Sequence, residues 1–385
     1  MTNQDGAVLE TFSHHLGAGW SVPAFPALDS DRTLVLAFGA SRYFDDPSAL
    51  ADLLRAYPGA CFAGCSTAGE ILGATLADDS LSVAVMRFGH TRLSMASAPV
   101  TTAADSFRAG EALAHRLLDP SLKSVFILSD GLRVNGSELI RGLNSVLPPS
   151  VLVTGGLAGD GDRFQRTWVV EDGAPGVGFV SAVGFHGDRV RVGHGSKGGW
   201  DVFGPERLVT RSEGNVLHEL DGKPALQLYK TYLGERAAGL PATALLFPLA
   251  LRRHGADDKS LVRTILAVDE QAQTMTFAGD IPQGSLAQLM RANFDRLIEG
   301  AGESALMTHA PGQPEGPCLS VAVSCVGRRL VLGERTEEEL DHVLEGLPPQ
   351  TRQVGFYSYG ELSPFSTGRC DLHNQTMTLT TIAEA

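Results

Sequence analysis

The sequence has few cysteines and no long apolar run. Its five cysteines are an odd number without a CxxC pair, which indicates free thiols rather than a disulfide framework or a zinc site. The longest apolar run, residues 244–251, contains Pro248 and is too short to cross a bilayer. The N-terminal residues lack the basic start and apolar core of a signal peptide. These absences predict a cytoplasmic protein that does not enter membranes.

Positive charge is scarce as well. The chain has 31 Lys and Arg against 44 Asp and Glu, a formal net charge of −13. Nucleic-acid-binding surfaces and segments that attach to anionic membranes both need clustered Lys and Arg. We therefore expect neither a nucleic-acid partner nor a membrane partner. The 385 residues, 43 % of them hydrophobic, indicate a folded protein with more than one core.

The pattern of apolar residues predicts three strand–helix–strand units, at residues 33–66, 124–154 and 319–359. In each unit, the second strand runs into a small or glycine-rich turn and then an acid, as in Gly69-Glu70, Gly159-Asp160 and Gly360-Glu361. Short helices are also predicted at 7–16, 104–118 and 285–298. We therefore predict an α/β protein with mixed sheets, made of two similar domains built from duplicated strand–helix–strand–strand units.

The last segment, residues 354–380, predicts two strands around a polar loop. The loop contains Cys370, Asp371, His373 and Asn374. Binding groups are often placed on a loop that rigid strands hold, although a C-terminal hairpin with a satisfied histidine is the alternative. Tyr357 and Tyr359 alternate along the first strand, so they suit either a flat ligand or core packing.

Several motifs, in order along the chain, resemble the FIST family, whose two parts are the FIST N and FIST C domains. The matching motifs are residues 64–70 (GCSTAGE), 198–205 (GGWDVFGP), 209–210 with 219–225, 229–234, and the last segment. The resemblance covers residue 30 to the end. It implies a lead-in at residues 1–30, a FIST N domain at 31–221 and a FIST C domain at 222–385.

The resemblance also implies a function. FIST proteins are described as intracellular bacterial sensory modules that bind small ligands, with amino acids suggested, and signal to a partner. Some stand-alone two-domain members bind haem and sense nitric oxide for a co-encoded histidine kinase. No kinase, cyclase or F-box segment is present in this sequence, so we expect a separate signalling partner.

The turn at residues 64–69 can present backbone N–H groups and hydroxyls to a carboxylate or phosphate, although a purely structural glycine turn explains it equally well. Glu70, Asp160 and Glu361 would suit an ammonium group, which favours an amino acid or amine, with exposed surface carboxylates as the alternative. The predicted ligand-binding residues are Gly64, Cys65, Ser66, Thr67, Glu70, Gly156, Asp160, Tyr357, Tyr359, Glu361, Cys370, His373 and Asn374.

Haem would need a neutral imidazole on a rigid element beside an apolar slot. The histidines predicted as iron ligands are His186, His194 and His373, each of which also suits a structural or surface role. Without a Cys-x-x-Cys-His motif, covalent attachment is excluded, so the cofactor expected is non-covalent haem b.

A thiol- or serine-dependent hydrolase is a further hypothesis. Cys370 and His373 are three apart, and Cys65 and Ser66 lie at a turn, but a nucleophile also needs an oriented base within reach. We therefore predict that the protein is not an enzyme. We predict a cytoplasmic sensor, either of nitric oxide through bound haem or of an amino acid or other metabolite, with a structural adaptor that binds no small ligand as the alternative. The sensor would regulate a histidine kinase or a cyclic-dinucleotide enzyme, with the glycine-containing strand ends facing one hollow.

Overall fold

The computed structural model describes residues 6–240, 242–252, 261–309, 316–364 and 368–385. They form mixed α/β layers, which confirms the predicted fold class, and the repeated strand–helix–strand units are present. Unit 1 covers residues 8–87, unit 2 covers 92–186, and unit 3 covers 190–384 with a long insertion. Among the described helices, none is long and apolar enough to cross a membrane.

Units 1 and 2 follow one plan. The elements of unit 1 are β1 (Val8–His15), β2 (Gly19–Trp20), β3 (Thr33–Ala40), α1 (Ser48–Ala56), β4 (Cys61–Thr67), β5 (Glu70–Leu72), β6 (Thr75–Ala77) and β7 (Ser80–Arg87). Those of unit 2 are β8 (Arg92–Pro99), α2 (Ser106–Leu117), β9 (Leu122–Ser129), α3 (Gly136–Val146), β10 (Leu152–Leu157), β11 (Val169–Glu171), β12 (Ala174–Gly176) and β13 (Phe179–His186).

Unit 3 repeats the plan around an insertion. It begins with β14 (Val190–Lys197). The insertion consists of β15 (Asp201–Glu213), β16 (Val216–Leu220), β17 (Lys223–Pro224), α4 (Ala225–Leu233), β18 (Leu249–Arg252), β19 (Leu261–Arg263), β20 (Ile265–Asp269), β21 (Thr274–Phe277) and β22 (Leu286–Arg291). The unit continues with α5 (Phe294–Met307), β23 (Cys318–Cys325), α6 (Val326–Leu332), α7 (Thr336–Glu345), β24 (Thr351–Ser358), β25 (Gly360–Pro364), β26 (Cys370–His373) and β27 (Met377–Glu384). The eight-stranded sheet of the insertion is called the inserted sheet below.

Two predicted helices are wrong. Residues 8–15 form β1, which pairs along its whole length with β7. Residues 286–291 form β22, which lies between β15 and β18, and the helix α5 begins only at Phe294. Pairing with neighbouring strands outweighs the local preference at both places.

The units share one strand order. Across each sheet, the order is the second parallel strand of the unit, then its first parallel strand, then two antiparallel strands. These orders are β4-β3-β7-β1, β10-β9-β13-β8 and β24-β23-β27-β14. The hairpin after the second parallel strand then joins the sheet of a different unit. Hairpin β5–β6 extends β24, β11–β12 extends β4, and β25–β26 extends β10. The units are thereby linked in a closed cycle with approximate threefold symmetry.

Backbone contacts at the strand ends show the same cycle. Equivalent hydrogen bonds run from each unit to a different unit: Ala68 N to Tyr357 O (2.7 Å), Gly159 N to Ser66 O (3.0 Å) and Tyr359 N to Leu157 O (3.2 Å). Equivalent glycines, Gly64, Gly155 and Gly355, lie on the second parallel strands. A Cβ at any of them would be 1.9–2.3 Å from a backbone oxygen of the adjacent strand, so only glycine permits this pairing.

Candidate functional site

The largest of three clefts among the described residues lies where the strand ends of units 2 and 3 face the inserted sheet. Its volume is about 830 Å³, which is in the range of small-molecule sites. We call it the main cleft. Its lining comes from unit 2 (among others Leu132, Asn135, Leu157 and Phe164), from the insertion (among others Thr264, Leu266, Phe277 and Asp280) and from unit 3 (Cys325, Val326, Gly327, Leu330, Tyr359 and Asn374).

Two polar side chains of the main cleft are buried without a partner. Asn374 is 1 % exposed, and neither its amide nitrogen nor its amide oxygen has a hydrogen bond to any described residue. Thr264, which is 5 % exposed, has a hydroxyl in the same state. Leaving such a group unpaired costs about 1–3 kcal/mol, so native proteins rarely keep one without a purpose. These groups are suited to bind a ligand.

An aromatic pair forms another part of the lining. The rings of Phe164 and Tyr359 are stacked, with centroids 4.5 Å apart and planes at 14°. Phe164 has a φ of +51°, which is costly for a bulky residue. Asp160 stabilises this conformation because its carboxylate accepts the N–H groups of Phe164, Gln165 and Arg166, each at 2.9 Å. The hydroxyl of Tyr359 also donates to Asp160. Asp160 therefore positions the aromatic pair.

Replacing Phe164 with glycine should separate stability from binding. Glycine adopts a φ of +51° without strain, so we expect an unchanged or slightly raised melting temperature. Loss of the ring should weaken any flat ligand of the main cleft by about tenfold, the value of one aromatic contact. Thermal unfolding and ligand titration on the same samples would measure both effects. A large loss of stability would show that the ring is a packing element instead.

A smaller cleft of about 490 Å³ lies beside the 64–70 turn. Thr67, Gly69 and Glu70 contribute to it, together with the guanidinium groups of Arg42, Arg163 and Arg329. Arg42 pairs with Asp79 at 3.0 Å, and Arg329 pairs with Asp78 at 2.6 Å. Arg163 has no ion-pair partner among the described residues. The smaller cleft thus has both signs of charge.

Two of the predicted acids stabilise loops from inside. Glu70 and Glu361 are 3 % and 0 % exposed. Each carboxylate accepts a hydrogen bond from the hydroxyl of the residue three positions earlier. It also accepts from the backbone N–H and the hydroxyl of a Ser or Thr that begins, or directly precedes, the next long strand. The donors are Thr67 and Ser80 for Glu70, and Ser358 and Thr376 for Glu361. Burial raises the pKa of Glu70 to about 7 and that of Glu361 to about 8.

The prediction that the glycine-containing strand ends face one common hollow is wrong. Glu70 contributes to the smaller cleft, Glu361 lines neither cleft, and Asp160 lies beside a third depression with Arg163 and Arg166. In the backbone cycle, Gly159 is equivalent to Ala68 and Tyr359. Asp160 is therefore one residue out of register with the other two acids, which explains its different role.

The structure places the other predicted ligand residues as follows. Tyr359 and Asn374 line the main cleft, and Thr67 lines the smaller one. Ser66 accepts the N–H of Trp168 at 2.9 Å, and the hydroxyl of Tyr357 donates to Glu339 at 2.6 Å. The rest lie within sheets or the core and line neither cleft: Gly64, Cys65, Gly156, Cys370 and His373.

None of the histidines predicted as haem ligands lines either cleft. His186 pairs with Ser94 (2.7 Å), and His373 Nε2 lies 3.0 Å from Ser363 O. His194 is half-buried on β14. Burial lowers the pKa of all three, that of His373 to about 4. Burial thus favours the neutral imidazole that iron requires, but these side chains line none of the described clefts. Haem binding stays a prediction.

The thiols do not have the character of nucleophiles. Burial raises the pKa of Cys65, Cys325 and Cys370, and a reactive cysteine needs the opposite shift. The described residues also contain no group of three or more His, Cys, Asp or Glu that could hold a metal ion. Nothing in this geometry supports the hydrolase hypothesis.

The comparisons agree with a ligand-sensing protein. Residues 33–223 match the FIST N domain and residues 225–364 match the FIST C domain. The chain belongs to the FIST family, whose domains are small-ligand sensory domains of signal transduction. The border between the matches falls within the inserted sheet.

Other comparisons add little. No curated protein matches the chain. Among solved structures, a cyanuric acid hydrolase from A. caulinodans is similar over 98 % of this chain and 99 % of its own, with 7 % identity and a TM-score of 0.38. A likeness at this level carries no conclusion about activity.

Proposed function

We propose that the protein is a sensor that binds its small ligand in the main cleft and reports to a separate signalling protein, such as a histidine kinase or a cyclic-dinucleotide enzyme. The observation that carries this proposal is the amide of Asn374, which is buried at the cleft without a partner among the described residues. A ligand would supply the missing hydrogen bonds.

The position of the main cleft suggests how binding is reported. The inserted sheet meets unit 3 through Arg263, which donates to Leu372 O at 2.9 Å. Trp200, directly before the first inserted strand, donates to Gln375 O at 2.8 Å. The insertion meets unit 2 through Asn135 and Asp280 at 3.3 Å. A ligand that touches both sides of the cleft favours the arrangement in which they are closest. The changed position of the inserted sheet is then the signal that a partner detects.

An amino-acid ligand suits the smaller cleft better. A zwitterion needs both a cation and a carboxylate, and the guanidinium of Arg163 and the carboxylates of Asp78 and Asp79 lie there together. This arrangement favours amino-acid sensing at the smaller cleft as the second candidate function.

Hydrogen–deuterium exchange with a library of neutral, anionic, cationic and zwitterionic small molecules would test both sites. We expect hits to slow exchange at residues 131–135 and 277–280 together, because these segments of unit 2 and of the insertion both line the main cleft. Protection of residues 67–79 by amino acids would support the second candidate. If no compound protects either region, the sensor proposal is wrong.

A further inference from the structure

We infer that the ligand of the main cleft is an uncharged, mostly apolar and flat molecule with a carboxamide-type group, which pairs with Asn374. This inference rests on the proposed function of the main cleft and names the chemistry that the cleft selects. It follows from the charge, the unpaired polar atoms and the apolar surface of the lining.

The lining excludes anions. No Lys or Arg lies among the described residues of the main cleft, and its acidic side chains are Asp162, Asp280, the thiol of Cys325 and the phenol of Tyr359. A carboxylate or phosphate would lose its hydration there without gaining a counter-charge. The carboxylates of free amino acids and of the haem propionates would lose their hydration there in the same way.

The lining also gives a cation no buried partner. Asp162 is exposed to solvent, and Asp280 already accepts a hydrogen bond from the amide of Asn135. Asp280 also lies beside Arg263, whose Nε donates to its backbone oxygen at 3.1 Å. The deep part of the main cleft therefore presents neutral groups, and an uncharged ligand fits it best.

Asn374 defines the polar group of the ligand. Its side chain offers donors on nitrogen and an acceptor on oxygen in one plane, and both are unpaired. A single ligand group satisfies both when it presents an acceptor beside a donor, as a primary amide or a lactam does. The hydroxyl of Thr264 supplies a third hydrogen bond as donor or acceptor.

The rest of the ligand must be apolar. Four of the large apolar residues that the structure leaves exposed lie at this cleft, at 40–48 % exposure: Leu132, Phe164, Leu266 and Leu330. Single exposed apolar side chains are ordinary, but a cluster around one concave surface marks a binding site. The stacked rings of Phe164 and Tyr359 favour a flat group against them.

Titration of the full chain with 2-naphthamide, 2-naphthoate and N,N-dimethyl-2-naphthamide tests this inference. The three probes share one apolar body and differ in charge or in the N–H donor. We expect 2-naphthamide to bind at least tenfold more tightly than either analogue. Equal or tighter binding of 2-naphthoate, or binding of none of the three, would overturn the inference. If library hits nevertheless protect the main cleft, the proposed function stands while this ligand class fails.

Asn374→Leu provides the matched variant. Leucine has a similar volume and no polar atoms, so the variant should lose the preference for 2-naphthamide over its N,N-dimethyl analogue. It should also melt at the same or a higher temperature, because an unpaired buried amide has been removed. The control is Asn144→Leu, which breaks a paired amide (Nδ2 to Cys370 O, 2.9 Å) and should lower the melting temperature without changing the preference. If Asn374→Leu keeps the preference, or destabilises as the control does, the role assigned to Asn374 is wrong.

Discussion

Replacing Arg328 with methionine is expected to lower the free energy of unfolding by about 3–5 kcal/mol, the usual cost of breaking one side of a buried ion pair. The side chains of Arg328 and Glu339 are both 0 % exposed, and Nη2 lies 2.7 Å from Oε2. Arg328 also donates to the backbone oxygen of Leu297 at 2.8 Å. One guanidinium thus connects α5, α6 and α7.

The cost arises mainly from the carboxylate that remains. Without Arg328, Glu339 keeps hydrogen bonds from the hydroxyls of Tyr357 (2.6 Å) and Ser324 (3.1 Å) but loses its counter-charge. Changing Glu339 to glutamine as well removes that charge, so the double variant Arg328→Met/Glu339→Gln should recover much of the lost stability.

Urea unfolding followed by circular dichroism would measure these differences. The matched control is Arg335→Met, because Arg335 pairs with Glu338 and Asp295 at the surface, where ion pairs contribute little. The prediction fails if Arg328→Met shifts the unfolding midpoint no more than the control does.

The sequence predicted the local units well because their signals are local. The two strands and the helix of each predicted unit lie within 31 to 41 consecutive residues. For example, Asn135 and Glu138 have the spacing of a capping box, and the side chain of Asn135 accepts the N–H of Glu138 at 3.1 Å at the N-terminus of α3. The cyclic exchange of hairpins has no such signal, because β5 and β24 are paired across some 280 residues.

The candidate site was predicted only in part for the same reason. Tyr359 and Asn374 lie in a segment whose composition is unusual, so the sequence could single them out. Thr264 lies on the inserted sheet, 110 residues from Asn374, and no local pattern connects them. Phe164 depends on a positive φ that Asp160 enforces through backbone hydrogen bonds. The sequence predicted Gly64 as a ligand-binding residue, but in the structure Gly64 allows the close approach of β3 and β4.

A different large effect is expected from pH. Burial raises the pKa of Glu361 to about 8 and that of Glu70 to about 7 in the folded protein, whereas both carboxyls have ordinary values once the chain unfolds. Between about pH 4.5 and pH 8 the folded state therefore holds more protons than the unfolded state. The contribution of these two carboxyls to the free energy of unfolding is therefore largest below this range, and it is lost as pH rises through their folded-state pKa values.

The fall attributable to Glu361 is at most about 5 kcal/mol, since one unit of pKa corresponds to 1.36 kcal/mol. Glu361→Gln should remove most of it, because glutamine reproduces the protonated acid. Its oxygen can accept from Thr376 (N at 3.2 Å, Oγ1 at 2.9 Å), and its nitrogen can donate to the hydroxyl of Ser358. The variant should match the native protein near pH 5 and exceed its stability near pH 9.

Urea midpoints at intervals from pH 5 to pH 9 would show whether the two curves separate in this way. Glu345→Gln serves as the control, because Glu345 is 73 % exposed and its substitution should leave the slope unchanged. Glu70→Gln should flatten the curve at lower pH than Glu361→Gln does, since its folded-state pKa is closer to 7. A Glu361→Gln curve parallel to that of the native protein from pH 5 to pH 9 would show that the folded-state pKa of Glu361 is not raised. In that case its hydrogen bonds from Ser358 and Thr376 outweigh the cost of burial.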